Sequence, residues 1–308
     1  MRAPSSFSAS PGFALGVALV AYAASFAVLM KLPGATAVEP LFLLLVLGIA
    51  FPLLAWGITR GRSNADVKFS SASSKKAWPL LAYFALFALL VLGWGFTALN
   101  AAVPNEPMQS VAQTALKLIT MVALPAWLFL RDGPRVRARF PASRLLIIFL
   151  VMALAFFAFQ ALFGRGLKTL GELAPAASTL IWAIPACWLW QTLEAGLCEE
   201  VLFRRVLQQG LTEITGSQVT AIIWASLLFG LAHAPGLFMR GANILEGVAQ
   251  PTASWALAYS IVMIAPVGVA FGVLWARTRS LWLLVPLHGL VDLLPQLAPF
   301  IRAWTHLT

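Results

Sequence analysis

Charge is scarce in this chain. Of its 308 residues only 10% are Asp, Glu, Lys or Arg, and the acids are the scarcer sign, 11 against 21 Lys and Arg. A soluble domain carries roughly 25% charged residues, so a water-clothed globule is excluded. Cysteine is nearly absent too. The two present, Cys187 and Cys198, fall inside one apolar run, which excludes a disulfide framework and makes both small apolar filler. The short alternating segments of an outer-membrane barrel are missing. No repeat relates the two halves, which weighs against a proton-coupled transporter. The common helical zinc signature HExxH is also absent.

What fills the chain is apolar sequence, 60% of all residues, in blocks long enough to cross a core of roughly 30 Å. The blocks are 12–30, 40–58, 77–99, 110–130, 145–163, 178 to about 207, 219–239, 254–275 and 281 to about 300. The fold class is therefore all-α, a polytopic transmembrane helical bundle of about eight or nine spans. The first block is too long for a signal-peptide core and is expected to be retained. Basic residues gather in the loops 60–76 and 131–144 rather than on one soluble face. That pattern reads as topology, with the N-terminus cytoplasmic, and not as nucleic-acid binding. Lys117, near an end of its block, is expected to snorkel. The twelve Trp are expected as interface anchors and packing, and Gly268-xxx-Gly272 as a site of close helix packing.

Against that background Glu199-Glu200-Val201-Leu202-Phe203-Arg204 stands out. Each unpaired charge inside a span costs about 2.5 to 3.5 kcal/mol on insertion scales, so charges kept there need a reason. On an α-helix Glu200 and Arg204 share a face and can neutralise each other, while Glu199 projects about 100° away and is left free. Glu194, just upstream, reads as a hydrogen-bonded buried acid. Two of the three histidines also lie in apolar blocks, His233 and His288, and Asp292 shares a helical face with His288. These residues are expected to line a common intramembrane polar cavity.

Such a set can polarise a water and hold a developing oxyanion. A carboxyl among apolar groups keeps its proton more readily than one in water, which suits general acid and base work near neutrality. Two histidines and a glutamate could equally take zinc. Helical rise puts His233 about 21 Å into its block and His288 only about 10 Å into its own. The seventh span is therefore expected to begin later than Val219, after a re-entrant or surface helix.

EEVLFR (199–204), FGLAH (229–233) and HGLVD (288–292), in that order on successive apolar helices, resemble the EExxxR, FxxxH and HxxxN/D motifs of the CPBP (Abi) intramembrane protease family, related to the type 2 CAAX prenyl endopeptidases. The resemblance covers about residues 180–295. It implies that Glu199 and His233 activate the hydrolytic water, that His288 and Asp292 form the oxyanion site, and that Glu200 with Arg204 braces the motif. Asp292 stands where the pattern also allows Asn. An ionised Asp cannot donate to an oxyanion, so this Asp is either protonated or orients His288.

The chain divides on this reading into N-terminal transmembrane helices of unassigned role (1–175), a CPBP-like protease region (176–300) and a short tail (301–308). The expected function is an intramembrane endopeptidase of a bacterial inner membrane. It acts on a membrane protein or lipidated peptide, requires no cofactor, and keeps zinc as the alternative. A non-catalytic chaperone or immunity factor, binding a partner helix in the same cavity, is the competing class.

Overall fold

The computed structural model describes residues 10–32, 35–61, 77–131, 137–244 and 250–305. Most of the first basic loop, including Arg62, Lys68, Lys75 and Lys76, lies outside the described residues, as do Arg135 and His306. Among the described residues there are helices and no strands.

The helices are α1 (Pro11–Leu29), α2 (Val38–Ile58), α3 (Trp78–Ala102), α4 (Met108–Leu130), α5 (Ala142–Phe163), α6 (Gly166–Leu173), α7 (177–215), α8 (Gln218–Ile244), α9 (Ala253–Thr278) and α10 (Leu281–Thr305). Eight of them are long and apolar enough to cross a membrane. Large apolar side chains stand exposed on their outer faces, among them Val20, Leu154, Ile181 and Trp282. In water that surface would be costly; facing acyl chains it is neutral, so the chain is a multi-pass membrane protein.

The chain divides into two compact units. The first comprises Met1–Ala101 and Phe203–Arg277, the second Ala102–Leu202 and Thr278–Thr308. In the first unit α8 packs on α1, α3 and α9. One apolar core there joins Leu29, Leu237, Trp255, Ala256, Ala258 and Val262. Gly268 lies with its α-carbon face against Ser226 and Phe229, and Gly272 against Ile222 and Gln208, so the expected close packing is real.

Arginine side chains donate to backbone carbonyls in this unit. Arg240 donates to Leu92 O at 2.7 Å and to Gly93 O at 2.8 Å, where the wide turns 87–95 of α3 give way to α-turns. Arg277 donates to Thr59 O at 2.8 Å, past the last turn of α2. In a bilayer core no water can do this, so the side chain must.

The seventh span starts at Gln218, not later. Gly216, at φ 68°, stops α7, and its N–H donates to Thr212 O at 2.9 Å. Ser217 then caps α8, its Oγ accepting from Thr220 N at 3.2 Å. A glycine stop followed at once by a serine cap leaves no chain for a separate surface helix.

In the second unit α10 is the hub, packed on α5, α6 and the first part of α7. Ala183 and Cys187 of α7 meet Leu293, Leu297, Phe300 and Ile301 of α10. Pro286, Pro295 and Pro299 interrupt the backbone ladder of α10. Pro295 has no N–H to offer Val291 O, and Gln160 of α5 supplies a donor at 3.4 Å. Trp188 Nε1 donates to Pro286 O at 3.0 Å, tying α7 to α10 two residues before His288.

A side chain at Gly268 has no room, since its first carbon would lie 3.1 Å from Ser226 Cα, whereas Gly16 has open space. Gly268→Leu is expected to lower stability by about 1–3 kcal/mol or more. Gly16→Leu should change nothing measurable. Thermal unfolding of the two variants in one detergent checks the pair.

Candidate active site

From Thr192 onward α7 is wound more widely than an α-helix, over Thr192–Leu197 and again over Glu200–Gln208. Such π-type turns are uncommon and often accompany functional residues. Here they bring two adjacent carboxylates onto one imidazole, which the 100° step of an α-helix would oppose.

Glu200 Oε1 lies 2.8 Å from His288 Nδ1. Glu199 Oε2 lies 3.5 Å from His288 Nε2, and Asp292 Oδ2 lies 3.5 Å from the same nitrogen. Glu199 is therefore not the free acid that α-helical spacing implied. Glu200 is wholly buried, and His288 is nearly so. An ionised carboxylate only accepts, so Nδ1 carries the hydrogen and donates to Glu200. That bond fixes the ring and turns Nε2 toward Glu199 and Asp292. The two longer separations are electrostatic contacts rather than short hydrogen bonds.

Glycines allow this approach. A side chain on Gly196 would run into the carbonyl of Val285, and one on Gly289 into Thr192. The backbones of α7 and α10 thus meet directly beside His288. Both glycines sit in plain view, three residues before Glu199 and next to His288, but sequence spacing did not single them out.

Lys117 of α4 forms an ion pair with Glu194, and both side chains are largely buried. The lysine therefore does not snorkel to the headgroups. Pairing with Glu194 offsets the cost that would drive it outward.

His233 and Arg204 belong to the first unit. His233 Nδ1 lies 2.8 Å from Phe229 O, a group that can only accept, so Nδ1 again carries the hydrogen. Arg204 is fully buried, with its guanidinium 5.4 Å from the Phe229 ring and 6.0 Å from that of Phe271. Phe229 thus serves both: its carbonyl aims the histidine and its ring meets the arginine. Among the described residues no three His, Cys, Asp or Glu side chains are grouped to hold a metal ion.

A multi-pass membrane protein with carboxylates and an imidazole converging inside a span is the class these observations define. Residues 180–294 match the family described as Rce1-like, type II CAAX prenyl endopeptidase Rce1-like. The match is consistent with the CPBP/CAAX protease family and supports protease activity in the broad sense. It spans the whole constellation from α7 to Asp292. No curated protein and no solved structure matches the chain.

Removing one partner of a buried pair leaves the other uncompensated. Glu200→Ala is expected to cost about 3–5 kcal/mol of stability, while Glu200→Gln, which keeps an acceptor for His288 Nδ1, should cost clearly less. Denaturant unfolding in mixed micelles would order the two variants; equal losses would mean that the carboxylate is not holding the imidazole.

Proposed function

We propose that the protein is an intramembrane endopeptidase, hydrolysing a peptide bond of a membrane protein or membrane-bound peptide. The observation that supports this most is the imidazole of His288, anchored by Glu200 and facing Glu199 and Asp292. In the proposed reaction Glu199 takes a proton from water, an activation in which the family pattern also gives His233 a part. The water oxygen attacks the scissile carbonyl carbon, and the carbonyl oxygen gains the negative charge. His288, protonated at Nε2, donates to that oxyanion. Collapse breaks the C–N bond as Glu199 returns its proton to the leaving amine.

Glu200 is the positioning residue for His288. The one-turn spacing of Glu200 and Arg204 in EEVLFR keeps the bracing role that the family pattern implies for the arginine. Asp292 either donates as a neutral acid or steadies the imidazolium, and its distance to Nε2 suits both. We propose a reaction carried by Glu199 and His288 without a metal. The site lies in the region 176–300. Fragment, cleavage position and lipidation of the substrate follow from experiment. A bacterial inner membrane, with the N-terminus in the cytoplasm, fits the loop charges.

Cells expressing the wild type or Glu199→Ala at matched levels are to be compared by N-terminal profiling of membrane-protein fragments. New N-termini confined to the wild type are expected. Identical profiles, with the variant still functional in the cell, would turn the reading to a partner-binding membrane protein. With a cleaved peptide in hand, activity of the purified enzyme is expected to survive strong chelators; loss on chelation and recovery with zinc would reassign the chemistry.

A further inference from the structure

Past the FGLAH motif α8 continues through Ala234, Pro235 and Gly236 to Arg240, and there it meets α3, which lies outside the segment 180–294 that matches the family. Pro235 stands two residues beyond His233. It has no N–H to give Leu231 O, so the turn that carries His233 lacks one rung of its own ladder. His233 holds its imidazole on Phe229 O at 2.8 Å, with its ring 5.1 Å from the Phe229 ring. Further support for this turn comes from α3.

Two glycines allow it. A first side-chain carbon on Gly93 would lie 2.9 Å from Pro235 Cβ and 3.5 Å from Met239 Sδ, so the bare α-carbon of Gly93 is the seat of the proline ring. One on Gly236 would lie 2.6 Å from Arg240 Nη2 and 3.3 Å from Leu92 O, so a glycine there leaves the guanidinium its path to α3. Arg240 then holds α3 at three points. Nη2 donates to Leu92 O at 2.7 Å, and Nη1 to Gly93 O at 2.8 Å and to Thr97 Oγ1 at 3.1 Å. Thr97 Oγ1 itself donates to Gly93 O at 2.9 Å, and the Phe96 ring lies 5.6 Å from the guanidinium. A planar fork suits two successive carbonyls, where an ammonium is a point charge. Arg240 is near the end of its span and could extend toward the headgroups, yet it gives these donors to α3.

Gly93 is thus fixed from two directions, with Pro235 against its α-carbon and Arg240 on its carbonyl. We propose that Arg240 is a positioning residue for His233. By holding Gly93 it keeps Pro235 seated, and so sets the turn of α8 from which His233 projects. This rests on the endopeptidase reading for the part that His233 plays, but the setting of the ring is measurable without any substrate.

The test uses the full chain in proteoliposomes at neutral pH, with histidine as the only isotope-labelled residue and nitrogen NMR as the readout. The chain has three histidines, so the spectrum of His233→Gln assigns the His233 signal by its loss. Arg240→Met is expected to displace or split the His233 Nδ1–H signal. Arg277→Met, which releases the end of α2 in the same unit, should leave that signal where the wild type has it. A His233 signal unmoved by Arg240→Met, or moved as far by Arg277→Met, overturns the proposal. Arg240→Lys, which keeps the charge and loses the fork, takes the same role if the methionine variant does not fold.

On a cleavable peptide from the profiling experiment, Arg240→Met should lower kcat by about tenfold or more with KM held within about twofold, while Arg277→Met stays within about twofold of wild type in both. A change in KM alone would overturn it. A wild type that cuts nothing, with the His233 signal displaced as expected, would defeat the protease reading and uphold the hold of Arg240 on His233.

Discussion

The hydrogen bond between Glu200 and His288 is the interaction on which the rest of the second unit depends. A wholly buried carboxylate inside an apolar bundle needs a donor at short range, and the imidazole Nδ1–H is that donor at 2.8 Å. The bond requires α7 and α10 to approach closely, which Gly196 and Gly289 permit. It also requires two adjacent acids to face one ring, which the wide winding of α7 provides. Geometry that would be an irregularity elsewhere is here the means of placing Glu199 and Asp292 on the remaining nitrogen.

The two histidines are handled in the same way. His288 gives its Nδ1 hydrogen to Glu200, and His233 gives its own to Phe229 O one turn back on its helix. Each anchor occupies Nδ1 and leaves Nε2 outside that bond. The anchors differ in charge, a carboxylate in one case and a backbone carbonyl in the other.

The fold spends its other polar side chains on the backbone. Arg240 meets the carbonyls of Leu92 and Gly93, Arg277 that of Thr59, and Gln160 the carbonyl that Pro295 leaves without a donor. Lipid could supply none of these donors. Basic residues that sequence statistics assign to topology alone thus have structural partners as well.

The sequence by itself determined the class and most of the constellation. Long apolar blocks dictate membrane helices because unpaired backbone cannot cross a bilayer, and ionisable residues within them are costly enough to mark a site. Glu199, Glu200, His288 and Asp292 were legible for that reason, as were His233 and Arg204. What only the tertiary structure decided was who pairs with whom. Spacing on an ideal α-helix left Glu199 free and sent Lys117 outward. The wide turns of α7 instead put both acids on His288, and Glu194 captured the lysine. Helix winding and contacts between helices distant in sequence set those partnerships, and neither is encoded in the local pattern of apolar and polar residues.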